Sequence, residues 1–574
     1  MRHIKMSKPV HAFNPVRRCT LKTAGLALCA GMLPFAPVHG QITAQATAQA
    51  TAQGGARYRR YNASKSKAGA RMLQSYARAV RAMLALPPED PRNWYRHAMI
   101  HTMDCPHANW WFLSWHRGYL GWFEQICREL SGDPEFALPY WDWTTEQKVP
   151  AGMFEDVLDP NHSAFIPTAQ DFESRLKTAL GNADYWTSPD GVFSPRSQFG
   201  LLLGRGMRFD ADLMFDIVSH PAGRLFYDQP GARGIRRELP DFSIATREAV
   251  AGATIQAALA APDFITFASA RTANHGAMGG FGVLEAKPHN AVHRCVGTRD
   301  CNFMEPRGFM NDMLSSADPL FYLHHANIDR LWDVWTRKQI RLGLPYLPDG
   351  VELRTDLPDD QKSPEERNTD YYRWAREPML FFVDAQGKPV SKIRGGDYEA
   401  AAAFGYDYEP GAGEEVLFKG PRPAQRRMFT GKVLSRVVQG ARAGSAGVQV
   451  PSAVIAQAGA GTGTLVANIT LKFAEMPHDP YIVILNGPDD PTQVDANSPY
   501  YLGTISMFGG HHGHAGALSF AFPLGDKLLP GRPAAQAADS GLRVRVLPLH
   551  AAMGHHGMEG ENTVELLGVD IEVY

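Results

Sequence analysis

The chain has almost no surplus of charge: 58 Lys and Arg stand against 59 Asp and Glu in 574 residues, a formal net charge of -1. That balance gives no basic footprint for nucleic acid or an anionic membrane surface. No apolar run reaches the ~20 residues needed to span a bilayer. Cysteine is scarce, six in all. None forms a Cys-x-x-Cys pair, which argues against a thiolate zinc site. No period typical of solenoids or propellers is visible. What remains is an ordinary globular composition, 44% hydrophobic and 20% charged, in a chain long enough for two to four domains.

Residues 1–40 read as a targeting segment. Arg17 and Arg18 precede Leu21, Lys22 and a short apolar stretch. The R-R-x-x-L-K spacing resembles a twin-arginine signal and predicts export, to a periplasm or the exterior. Cys19 and Cys29 leave with it. Residues 41–56, with "TAQATAQATAQGG", are a low-complexity linker with nothing to bury. Of the remaining cysteines, Cys295 and Cys301 are close enough to pair after export, or to stay free thiols.

From 57 to 410 the texture is aromatic and helical. "GWFEQICREL" (121–130) and "IDRLWDVWTRKQI" (328–340) carry apolar residues at helical spacing. After a linker over 411–425, residues 426–574 change to short alternating runs such as "GTLVANITLKF", "PYIVILNG" and "TVELLGVDIEVY". These read as the strands of a small all-β, sandwich-like domain.

The chemistry concentrates in histidine. "HTMDCPHANWWFLSWHR" (101–117) sets His101, His107 and His116 among large aromatics. For one buried imidazole the plain reading is a hydrogen-bonded core residue, because an unpaired polar ring is costly there. A second cluster changes the balance. "KPHNAVHRC" places His289 and His293 four apart, on one helix face. "DPLFYLHHANIDRLWDVW" then offers His324 and His325. Adjacent helical residues point about 100° apart, so only one of this pair reaches the same ion. Two all-imidazole triads without carboxylates suit copper better than iron, calcium or magnesium, while zinc also accepts three histidines. A di-iron bundle would show Glu-x-x-His motifs, and a blue-copper site a Cys thiolate with an axial Met; neither set is present.

Taken together, these residues resemble the tyrosinase, catechol oxidase and molluscan haemocyanin family of binuclear type 3 copper proteins. His107 followed by His116-Arg117 matches its first copper region. "HNAVH" with "DPLFYLHHANIDRLW" matches its second. "LPYWDW" (138–143) and the Tyr406-Asp407-Tyr408 stretch that closes the catalytic domain also fit. The resemblance covers most of residues 90–410. It implies a mainly α catalytic domain, a four-helix bundle around two copper ions that bind O₂.

By that resemblance the first copper is held by His101, His107 and His116, with His97 an outer histidine one turn before His101. Cys105 is joined through its sulfur to the His107 ring. The second copper is held by His289, His293 and His325, with His324 outside the ligand set. Glu285 and Asn290 hold a water that takes the phenol proton. Met313 is the gate residue over the first copper. Asp329 holds a ligand N–H or an arginine. The implied activity is ortho-hydroxylation of monophenols and oxidation of catechols to o-quinones with O₂. The alternatives are a catechol oxidase alone and an oxygen carrier. Small phenols are the expected partners, and a homo-oligomer is left open. His511, His512, His514, His555 and His556, in two Gly-rich stretches near the C-terminus, are by default exposed loop residues and otherwise a further metal site.

Overall fold

The computed structural model describes residues 56–574 apart from 88, 160–161, 166–196, 206–241, 299–300, 302–307, 312, 349–368, 419–425, 461, 475–479, 509–515, 537–540 and 553–563. The targeting segment, the low-complexity linker and the five C-terminal loop histidines lie outside the described residues.

Local chemistry sets the helix boundaries. Helix α1 (Lys67–Ala85) starts where the Ser66 hydroxyl accepts from the Gly69 N–H. Helix α2 (Trp94–Asp104) starts where the Asn93 side chain accepts from the N–H groups of Tyr95 and Arg96. Helices α3 (Phe112–Ser131) and α5 (Leu320–Leu342) both end at a left-handed glycine, Gly132 at φ 67° and Gly343 at φ 64°. Between them lies the short α4 (Asn290–Val296), entered through a π-helical turn, Glu285–His289, that contains Pro288. The two helices expected at 121–130 and 328–340 fall inside α3 and α5. The proline breaks the regular ladder ahead of α4, and single π turns recur at functional sites.

Thirteen strands are described. β1 (Tyr58–Arg60) and β3 (Tyr406–Tyr408) pair in parallel. A five-stranded sheet runs β10 (Tyr501–Ile505), β9 (Tyr481–Leu485), β12 (Leu542–Pro548), β7 (Gly444–Val448) and β5 (Lys432–Ser435). A second sheet runs β2 (Gly280–Phe281), β11 (Gly516–Pro523), β8 (Leu465–Phe473), β13 (Val564–Val573) and β4 (Arg427–Thr430), with β6 (Val437–Val438) also on β13. The three C-terminal runs expected as strands are β8, β9 and β13. Leu465, Ala467, Ile469, Leu471 and Phe473 of β8 fill the core between the sheets. β2 comes from the helical part of the chain yet pairs in parallel with β11, Phe281 opposite Phe520, their rings 5.2 Å apart. The helical region and the β region therefore share one sheet, a few residues before Glu285.

Cys295 and Cys301 are joined as a disulfide; Cys105 and Cys127 are free.

Below the histidines lies a buried ionic hub. Asp329 on α5 accepts from Arg117 Nε at 2.6 Å, Arg60 Nη1 at 3.3 Å, and the hydroxyls of Tyr406 and Tyr408 at 2.5 Å each. Arg60 also donates to Glu124 at 2.7 Å. This ties the first strand, α3, α5 and the Tyr-Asp-Tyr stretch together, and assigns Asp329 to arginine rather than to a histidine N–H. Removing one partner of such a network strands buried charge. Asp329→Ala is expected to cost about 3–5 kcal/mol of stability, read from denaturant unfolding. A loss below 1 kcal/mol would mean that the arginines find water.

Candidate metal centre

Both histidine clusters of the sequence assemble. His101, Cys105, His107 and His116 form one group and His289, His293, His324 and His325 a second; in each, one ligand-type atom per residue lies within 4.8 Å of the others. α2, the loop after it and α3 supply the first group. The π turn, α4 and α5 supply the second. The two groups face each other: the rings of His116 and His325 are stacked at 4.1 Å, and those of His107 and His289 lie 5.8 Å apart. Phe112 and Phe321 wedge between them, 4.7 Å from His289 and 4.9 Å from His101 respectively.

Burial alone would penalise these rings, so their hydrogen bonds decide what they can do. His101 Nδ1–H donates to the Met313 carbonyl at 2.6 Å, His116 to Phe112 at 2.8 Å and His293 to Met310 at 2.7 Å. His289 donates to Asn290 Oδ1 at 2.9 Å. Each of these bonds places the proton on Nδ1 and leaves the Nε2 lone pair free, the arrangement metal-binding histidines use. The Nε2 atoms of His101 and His289 are buried without a partner among the described residues. His293 Nε2 and His325 Nε2 approach to 2.9 Å, the spacing of two nitrogens each about 2 Å from one shared ion. Burial also lowers the imidazole pKa values, to about 4 at His101 and about 3 at His289, so the rings stay neutral and able to donate. An all-imidazole donor set of this kind fits copper, and also zinc.

His97 lies one turn before His101, stacked on Tyr119 at 4.7 Å, outside both groups. His324 belongs to the second group, yet its Nδ1 accepts from Trp143 Nε1 at 3.1 Å, unlike its neighbours. Cys105 Sγ lies 3.8 Å from both ring nitrogens of His107 and 3.4 Å from His116 Nε2. Its equal distance from the two His107 nitrogens puts the sulfur in the plane that contains Cε1. No bond joins them.

Glu285 and Asn290 flank the second group, both buried. Glu285 accepts from the Ala108 N–H at 2.9 Å and from the Ser269 hydroxyl. Burial pushes its pKa up to about 8, against those two bonds. Asn290 turns its carbonyl oxygen to His289 and donates its amide to the Ser506 carbonyl at 3.1 Å. Met313 serves through its backbone, as the acceptor of His101.

The ring packed over the imidazoles is Phe508, which the sequence reading missed. It stacks on His293 at 3.9 Å and lies 5.0 Å from His107 and 5.5 Å from His289. It arrives from β10, whose base is held by Lys287 Nζ donating to the Leu502 carbonyl at 3.0 Å. The one local signal was an aromatic residue at a strand end, just before a glycine-histidine run.

Acidification tests the electrostatics. Burial lowers eight described imidazoles, those of His97, His101, His116, His275, His289, His293, His324 and His325. A depressed folded pKa contributes stability above the unfolded value of about 6.5, lost as pH falls toward the folded value. Glu285, raised, works oppositely between its unfolded value and about 8. Imidazoles outnumber it, so the metal-free protein is expected to melt at falling temperatures between pH 6.5 and about 4, measured calorimetrically. A flat profile there would show the rings already protonated in the fold.

Residues 91–338 match the family model "Tyrosinase: Common central domain of tyrosinase". The chain is 28% identical to "(+)-larreatricin hydroxylase, chloroplastic" of Larrea tridentata over 282 residues, 46% of this chain and 38% of that one. It is 28% identical to "Polyphenol oxidase latent form, chloroplastic" of Prunus armeniaca over 348 residues, 56% of this chain and 50% of that one. The chain thus spans half the length of these relatives or less. Among solved structures, recombinantly expressed latent aurone synthase (polyphenol oxidase) superposes with a TM-score of 0.52 at 21% identity, covering 91% of this chain and 90% of that one. That likeness supports the same overall fold, a helical core followed by a β region. The residues matched by that family model contain both histidine groups.

Proposed function

We propose that the chain is a copper-dependent oxidase that hydroxylates monophenols ortho to the hydroxyl and oxidises catechols to o-quinones with O₂. The observation that carries this is the pair of facing, buried imidazole groups in which His101, His116, His289 and His293 donate from Nδ1 and keep the Nε2 lone pair. His101, His107 and His116 would hold one copper ion, and His289, His293 and His325 the other. Copper, when bound, supplies O₂ binding and the electron transfer from the phenol. The chain holds the rings neutral and oriented, keeps water out with Phe112 and Phe321, and places a base. The Cys105 sulfur, in the bisecting plane of the His107 ring, suits a thioether that would lock that ring.

A monophenol binds a metal well only after losing a proton whose free pKa is about 10. A carboxylate near pKa 8 beside the second group is matched to accept it, because a base works best near the operating pH. Glu285, with Asn290 through a shared water, is therefore assigned to that proton. The word "hydroxylase" in the name of the Larrea tridentata relative agrees with a hydroxylation step. Glu285→Gln is expected to lower turnover of tyrosine about 10²-fold and turnover of L-DOPA much less, measured by oxygen uptake. Equal losses would remove the proton-handling role from Glu285, and wild-type turnover of L-DOPA but not tyrosine would favour the second reading, a catechol oxidase without monophenolase activity. Oxygen binding without turnover of either substrate would favour a haemocyanin-like carrier.

Phe508 occupies the space over His293 that a phenol ring would need. We infer a latent enzyme, in line with the latent form among its relatives. In the full-length protein, Phe508→Ala is expected to raise catechol oxidation about tenfold or more, as it would if only a tenth of molecules were open. Unchanged rates would place substrate entry elsewhere.

For residues 1–40 we keep the export reading, while the relatives' printed names favour plastid targeting. Replacing Arg17 and Arg18 by lysine stops export if the twin-arginine reading holds, and leaves it intact otherwise.

A further inference from the structure

His324 is the one imidazole near the second group whose hydrogen bond runs the wrong way for a ligand. Trp143 Nε1–H can only donate, and it donates to His324 Nδ1 at 3.1 Å. Nδ1 therefore carries the lone pair and Nε2 carries the proton. In His101, His116, His289 and His293 the order is the reverse: Nδ1–H donates to an oxygen. The His324 ring is fully buried. Its Nε2 has no partner among the described residues, although it stands in the second metal group beside His289, His293 and His325. Its ring lies parallel to that of His289 at 5.5 Å and perpendicular to that of His293 at 4.7 Å. A buried N–H with no acceptor is costly to keep, and that cost is lifted only if something in the working site accepts it.

We propose that His324 is a hydrogen-bond donor built into the second half of the metal centre, locked in its Nε2–H tautomer by Trp143, and that it receives an electronegative atom of whatever binds there. The inference rests on the dicopper reading for the identity of that ligand, but not for the tautomer. No proton is transferred and no bond to the metal forms: His324 positions and stabilises the incoming anion or phenolate oxygen. It also explains two adjacent histidines at the head of α5. One donates a lone pair to the metal, and the other, turned about 100° on the helix, donates a proton to the metal's guest.

The test uses full-length protein with azide as the probe, small enough to enter beside Phe508. Copper is counted by atomic absorption and azide affinity is read from its charge-transfer band. His324→Leu is expected to keep two copper ions per chain and bind azide about tenfold more weakly. His324→Gln, whose side-chain N–H lies near the position of Nε2, is expected to keep the native affinity. Trp143→Phe, which frees the ring to exchange tautomers, should fall between. Loss of one copper in His324→Leu would make His324 a ligand, and unchanged azide affinity there would leave the donor without a partner; either overturns the proposal. A metal-independent arm separates this from the dicopper reading. In metal-free protein with ¹⁵N-labelled histidine, the resonance lost in His324→Gln should have the Nε2–H signature, and an Nδ1–H signature overturns the proposal however copper binds.

Discussion

The structure depends on one constraint: imidazoles buried among aromatics must be neutral, and His101, His116, His289 and His293 each have Nδ1 satisfied by an oxygen. Desolvation handles the charge, backbone carbonyls satisfy Nδ1 of His101, His116 and His293, and the Asn290 side chain satisfies that of His289. Two of those carbonyls, Met310 in a 3-10 turn and Met313 just after it, precede α5, and they orient one histidine of each group, His293 and His101. A regular helix there would spend its carbonyls on its own ladder. The break in secondary structure between α4 and α5 is thus part of the centre, and it couples the orientation of the two halves.

The second structural theme is how the β region meets that centre. β2 pairs with β11, Lys287 donates to the Leu502 carbonyl and Asn290 to the Ser506 carbonyl. All three contacts flank the π turn that carries His289. Asn290 therefore faces both ways, with one end on the His289 ring and the other on the segment that delivers Phe508. A carbonyl of the β region occupies the amide that, in the proposed hydroxylation, would help hold a water.

The rest of the helical region keeps these groups in register. Asp329 and its arginines join the chain's first strand to α3 and α5, and Arg60 and Arg117 lie over the rings of Tyr406 and Trp332 at 3.5 and 3.6 Å. Buried arginines are tolerated because each guanidinium has both a carboxylate and an aromatic face.

What the sequence determined by itself was local and periodic. Four-residue spacing put His289 and His293 on one face, and alternation marked β8, β9 and β13. These readings survive folding because helix and strand geometry convert spacing directly into direction. Tertiary structure alone decided the rest. Phe508 lies more than two hundred residues beyond His293, and Trp143 lies 181 residues before His324. Met313 lends its carbonyl rather than its side chain, and Glu285 meets Ala108 across 177 residues. Such contacts are set by how elements pack, and no short-range pattern encodes a distance between distant segments. The same holds for tautomers: a histidine letter does not say which nitrogen bears the proton, and only the neighbour that folding brings to it does.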